Sequence, residues 1–118
     1  MAKIFFLCFL LSNFLLAQNQ IGLDQIPENM GKKVKICDKI YGSYITKGDS
    51  PVILLNVGAD FPDNPFTLVV YQKDRKNFNY DPSEFLVGKN FCTTGKIVEF
   101  KGKPQIVLNS EKDIQLLE

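Results

Sequence analysis

Residues Gly88 to Ser110 read GKNFCTTGKIVEFKGKPQIVLNS, and this stretch decides the fold. Two strand-like runs, Asn90 to Phe100 and Pro104 to Asn109, flank a turn at Lys101-Gly102-Lys103, the pattern of a hairpin. Upstream, Val52 to Val57 and Phe66 to Tyr71 read as two further strands, separated by a loop over Gly58 to Pro65 that carries Pro62 and Pro65. In the first of these Ile53, Leu55 and Val57 make the better core face, with Leu54 and Asn56 opposite. Phe66, Phe85 and Phe91 lie on or beside apolar faces and are assigned to the core.

Lys33 to Tyr44 alternates Val34, Ile36, Asp38 and Ile40 against Lys35, Cys37, Lys39 and Tyr41, which predicts a long first strand. Asp38 on the inward side breaks the pattern, so a bend or bulge is expected there. Thr46 to Pro51 is a turn-rich loop. Helical material is expected between Asp74 and Gly88, with Asp81 as N-cap and Pro82 in the first helical position. Ser110 to Glu118 reads as a short tail with at most one helical turn.

The N-terminus has a different character. Met1-Ala2-Lys3 supplies a positive start, Ile4 to Leu16 is apolar apart from Ser12 and Asn13, and Ala17-Gln18 opens a polar stretch. This is the pattern of a secretory signal peptide over residues 1–17. The apolar run is shorter than the roughly 20 residues of a membrane-spanning helix, and the expected product has no membrane span and a periplasmic or secreted location. Cys8 sits inside the apolar run and not after small residues at its end, so a lipid anchor is not expected. Residues 18–30, with Gly22 and Pro27, are expected to form a flexible leader lying across one end of the domain, residues 31–114 the domain itself, and residues 115–118 a tail.

Leu55-Asn56-Val57-Gly58, Asn64-Pro65-Phe66-Thr67, Lys73-Asp74-Arg75 and Cys92-Thr93-Thr94-Gly95-Lys96, with the hairpin above, resemble a family of small exported bacterial OB-fold domains described as nucleic-acid-binding or uncharacterised. The resemblance spans roughly Gly31 to Ile114. It departs at Ile36-Cys37-Asp38, where relatives more often have glycine after the cysteine. It implies a mainly β fold, a five-stranded OB-fold Greek-key barrel with a short helical segment between strands three and four.

Two cysteines, Cys37 and Cys92, remain once Cys8 leaves with the signal, and an even pair in an oxidising compartment predicts one disulfide. Strand alternation turns Cys37 away from Val34 and Ile36, and Cys92 away from Phe91, Thr93, Gly95 and Ile97. In an OB barrel the first strand pairs with the fourth, so the two thiols can meet. Two unpaired, half-buried thiols are the alternative. Separated cysteines without a single histidine are a poor zinc set, and no metal or other cofactor is expected.

Of the 14 basic residues Lys3 falls in the signal, so 13 face 13 acidic ones, which is not the basic excess of a dedicated nucleic-acid binder. The lysines are nevertheless unevenly placed, with Lys32, Lys33, Lys35, Lys39 and Lys47 on the first strand and its loop and Lys96, Lys101 and Lys103 around the last turn. OB domains commonly bind oligonucleotides or oligosaccharides over their second and third strands and adjoining loops. That position selects Lys47, Lys101 and Lys103 for phosphates, Tyr44 and Tyr71 for stacking on bases, and Asn56 and Thr67 for hydrogen bonds across the groove. Phe100 is a further stacking candidate, and Leu54 and Val69 beside Tyr71 are expected to form a mildly apolar exposed patch.

The expected function is non-catalytic binding of single-stranded nucleic acid, with an envelope glycan or a protein partner as the alternative. Nucleases of the thermonuclease type also use an OB barrel, but their chemistry needs paired arginines and clustered carboxylates. This chain has the single arginine Arg75, and Asp60 and Asp63 flank Pro62 as turn formers. It has no histidine, no GxSxG, no glycine-rich phosphate loop and no CxxC spacing.

Overall fold

The computed structural model describes residues 19–118, and the signal-peptide reading lies outside the described residues. Among the described residues eight strands dominate: β1 (Gln20–Ile21), β2 (Lys33–Ile45), β3 (Ile53–Val57), β4 (Phe66–Val70), β5 (Asn90–Lys96), β6 (Val98–Phe100), β7 (Lys103–Val107) and β8 (Ile114–Leu117). A single-turn helix, α1 (Pro82–Phe85), and a few 3-10 turns complete this mainly β fold. The strands form a mixed sheet in the order β6-β7-β4-β3-β2-β5-β8, with β1 beside β2. The pairs β1–β2 and β4–β7 are parallel and the others antiparallel. Among the described residues no helix is long and apolar enough to cross a membrane.

Strand β2 organises the molecule because its two halves pair with different partners. Lys33 to Lys39 pair with β5, and Ile40 to Ile45 pair with β3. The register shifts between Ile40 and Gly42, where Ile40 lies opposite Val57 and Gly42 opposite Asn56. Tyr41 is thus the extra residue of a bulge. Because side chains alternate, one inserted residue exchanges the faces of everything after it. Before the bulge Val34, Ile36 and Ile40 are buried; after it Ser43 and Ile45 pair with the buried Leu55 and Ile53. The bulge lies three residues beyond Asp38, whose side chain accepts the Lys39 N–H at 2.8 Å instead.

At the far end β5 and β6 are separated only by Ile97, a fully buried residue, yet β5 pairs with β2 while β6 pairs with β7. The β6–β7 hairpin turns on Lys101 and Gly102, with φ of 51° and 79°. A two-residue turn with both central φ positive matches the twist of the strands it joins, and glycine adopts that conformation without steric cost.

The core is built by these strands, with Ile36, Ile40, Ile53, Leu55, Val57, Phe66, Leu68, Phe91, Ile106 and Leu108 all but inaccessible. Helix α1 sits over one end. The Asp81 carboxylate accepts the Ser83 N–H at 3.0 Å and hydroxyl at 2.7 Å, and Pro82 occupies the first turn. The Ser43 hydroxyl donates to the Ser83 carbonyl at 2.6 Å, tying the helix to β2. Leu86, directly after α1, is buried and Phe85 is 43% exposed, which corrects its assignment to the core. A helix of one turn presents little more than one side chain to the core, and Phe85 packs instead on Tyr80, with ring centres 4.5 Å apart.

Within residues 18–30, expected as a flexible leader, lie β1 and two 3-10 turns, and Ile26 is buried in the core. The final residues form β8 against β5. Cys37 and Cys92 are opposed across β2 and β5 and form a disulfide with an S–S distance of 2.08 Å.

Candidate functional site

Strand alternation and register assemble one face of the sheet from residues far apart in sequence. Gly42, Asn56, Thr67, Gln105 and Val98 follow one another as partners across β2, β3, β4, β7 and β6. Tyr44, Leu54, Val69 and Val107 form the next row. This is the face opposite the buried Leu55 and Leu68.

Loops raise walls on it and make an open groove of about 470 Å³, floored by Leu54, Asn56, Thr67, Val69 and Gln105. Phe61, from the β3–β4 loop, closes one side; Phe100, Lys101 and Lys103, from the β6–β7 hairpin, close another; Thr46, Val52 and Tyr71 lie at the remaining end. Phe61 and Phe100 are well exposed, at 68% and 56%. Each has a cation beside its ring: the Lys103 ammonium lies 5.6 Å from the centre of Phe61, and that of Lys101 5.4 Å from Phe100. At these distances a lysine is attracted by the ring quadrupole while its charge stays available to an anion.

The polar groups of the floor are partly tied down. Asn56 donates to the Asp60 carboxylate at 3.0 Å, and the same oxygen accepts the Phe61 N–H at 2.8 Å, which fixes the base of the loop carrying the ring. Asp60 bends over Gly42, where a Cβ would run into the carboxylate. Asn64 donates to the Thr67 hydroxyl oxygen and to the Phe66 carbonyl, both at 3.1 Å, leaving the Thr67 O–H free to donate.

Five residues selected from the sequence, Asn56, Thr67, Tyr71, Lys101 and Lys103, line this one groove. Tyr44 shares its face by register, beside Leu54, but does not line it, and Lys47 stands in the β2–β3 loop outside it. Leu54 is half-buried and Val69 is 1% exposed, so Val69 is not part of an exposed patch: β4 has neighbours on both edges and the rim side chains rise around it. Phe61 and Gln105 were not selected. An aromatic between Asp60 and Pro62 carries no periodic signal, and Gln105 becomes notable only through the parallel β4–β7 pairing.

No protein-family model and no curated protein sequence matches the chain. Among solved structures the chain is similar to one described as an aspartyl-tRNA synthetase from Leishmania major Friedlin, at 12% identity and a TM-score of 0.43. The match covers 86% of this chain and 21% of that one, so the chain spans about a fifth of the synthetase's length. At that distance the likeness bears on neither ligand nor activity.

Proposed function

We propose that this chain is an exported, non-catalytic OB-fold protein that binds single-stranded nucleic acid in the groove between Phe61 and the β6–β7 hairpin. The carrying observation is the convergence of three accessible rings, Phe61, Tyr71 and Phe100, with Lys101 and Lys103 on one open sheet face. Bases stack on such rings for roughly 1–3 kcal/mol each, whatever their identity, while lysines neutralise the backbone.

The OB reading is supported by the strand order: β2 between β3 and β5, β4 parallel to β7, and α1 between β4 and β5. In this reading β5 and β6 are one bent strand whose two halves pair with β2 and β7, completing a five-stranded barrel. Export is supported by the signal-like N-terminus and accords with the disulfide. A non-catalytic role is supported by the engagement of Arg75, which pairs with Asp81 at 3.5 Å beside α1, and of Asp60, whose carboxylate holds the loop.

The test is fluorescence anisotropy of a labelled mixed-sequence single-stranded oligonucleotide against the oxidised protein, titrated at low and physiological salt. Saturable binding with a log–log salt slope of about −1.4 is expected, for two phosphates neutralised on a single strand. Tyr71→Ala and Lys101→Ala should each weaken it; if both leave it unchanged, the assigned face is wrong. Displacement by an acidic polysaccharide would favour the glycan reading, and no binding at low salt would set nucleic acid aside.

A further inference from the structure

Phe61 stands at the mouth of the groove without core packing to hold it. The residue is 68% exposed, with the Lys103 ammonium beside its ring, so its place depends on the backbone beneath it. One oxygen of the Asp60 carboxylate, Oδ1, accepts the Phe61 N–H at 2.8 Å and an Asn56 Nδ2–H at 3.0 Å, which ties the middle of the β3–β4 loop to the groove floor. The other hydrogen bonds of this loop among the described residues lie at its ends or inside its turn: the Gly58 N–H to the Lys39 carbonyl, the Asp63 N–H to the Asp60 carbonyl, and Asn64 to Phe66 and Thr67. Room for the carboxylate is made by β2. The bulge at Tyr41 sets Gly42 opposite Asn56, and a Cβ on Gly42 would stand 2.9 Å from the Asp60 Cγ. Gly42 does not have a positive φ, so close approach, and not backbone conformation, is what disfavours a side chain there.

Resting on the nucleic-acid reading above, we infer that Asp60 is a positioning residue: its carboxylate, seated over Gly42 and held by Asn56, sets the Phe61 ring in place to receive a base. Charge alone gives Asp60 the opposite effect. Among the described residues no lysine or arginine forms an ion pair with it. A carboxylate without a cation beside a groove for phosphates repels the ligand, so its removal strengthens binding if charge is all that it contributes. Positioning works the other way. A ring ordered before the ligand arrives loses little conformational freedom on binding, and that advantage disappears with the tether. The two roles therefore differ in the sign of one substitution.

The experiment measures the anisotropy of labelled oligo-dT at fixed low salt with the wild type, Asp60→Ala, Asp60→Asn, Gly42→Ala and Phe61→Ala, a cooperative urea transition showing that each variant is folded. Asp60→Ala should bind about fivefold more weakly, part of what one base–ring stack contributes, although it removes a negative charge. Asp60→Asn keeps an oxygen acceptor for both N–H groups without the charge, and should bind at least as tightly as the wild type. Gly42→Ala displaces the carboxylate without altering a side chain of the groove, and should weaken binding as Asp60→Ala does. In a Phe61→Ala background Asp60→Ala should cause no further weakening, because the tether then has no ring to place. Asp60→Ala or Gly42→Ala binding as tightly as the wild type, or an Asp60→Ala loss that adds in full to that of Phe61→Ala, overturns the positioning role and leaves the groove reading standing. No binding of oligo-dT by the wild type overturns both.

Discussion

The Lys103 ammonium stands 5.6 Å from the centre of the Phe61 ring, so the β6–β7 hairpin and the β3–β4 loop meet across the mouth of the groove. A ligand chain lying there must pass between or over them. Phe61→Ala is expected to weaken oligonucleotide binding by about 1–3 kcal/mol, the range for one base–ring stack. Lys103→Ala should reduce the salt slope by about 0.7 and weaken all sequences alike. The two effects separate in a salt titration, since ring removal shifts the line without changing its slope. Equal slopes for wild type and Lys103→Ala would remove Lys103 from the phosphate contacts.

The disulfide between Cys37 and Cys92 closes a separation of 55 residues and joins β2 to β5. In the chain-entropy model a loop of this length contributes about 4 kcal/mol through restriction of the unfolded chain. Reduction, or Cys92→Ser, should lower the urea midpoint by the corresponding amount with the m-value read alongside. Non-reducing mass spectrometry of the native protein should find neither cysteine alkylated. Recovery of two alkylatable thiols from native protein would contradict the pairing.

Much of this architecture was legible in the sequence, and the misses have physical causes. The strands β2, β3, β4 and β5 lie within a residue or so of their expected bounds at most ends, because their apolar residues are concentrated between turn-forming stretches and recur on the core-facing side. The bulge was anticipated at Asp38 but lies at Tyr41, since a polar residue on an inward position can also be accommodated by a local hydrogen bond, here to the Lys39 N–H. Strand β8 escaped notice because Leu116 and Leu117 are both partly exposed, leaving Ile114 as its one buried apolar side chain. Asn56 and Thr67, on regular strands, and Tyr71, directly after β4, followed from alternation. Phe61 did not, because a loop position has no period.

Asp81 makes stability depend on pH. The hydrogen bond from the Ser83 hydroxyl holds its carboxyl below the ordinary aspartate value; desolvation is the next largest influence and opposes it, and the Ser83 N–H and Arg75 add lesser lowering contributions. A folded-state value below the unfolded one means that the contribution is fully present above the unfolded value and lost as pH falls through the folded one. The stability curve should therefore decline on the acid side of the ordinary aspartate range. Asp81→Asn, which retains an N-capping side chain but no charge, should flatten that decline. Asp81→Ala should cost about 1 kcal/mol at neutral pH through loss of the cap. Urea midpoints measured across the acid range for the three proteins check this, and identical acid limbs in wild type and Asp81→Asn would count against it.

Strand β8 is bound to the domain by few but specific contacts. Ile114 is buried opposite Thr93, the Thr93 hydroxyl donates to the Asp113 carbonyl at 2.5 Å, and Leu116 lies opposite Phe91. Ile114→Ala removes a core side chain and should cost about 2 kcal/mol or more. Leu117→Ala, at a position 48% exposed, should stay within about 0.5 kcal/mol of wild type. Deleting the chain from Ile114 onward goes further, because it uncovers the hydrogen-bonding edge of β5, and an uncovered edge is a template for pairing with another chain. The truncated protein should thus show both a lower urea midpoint and a concentration-dependent shift to larger species in size-exclusion chromatography. If Ile114→Ala and Leu117→Ala cost the same, or the truncated chain stays monomeric with unchanged stability, then the terminal strand is only laid against β5 and does not contribute to holding the domain together.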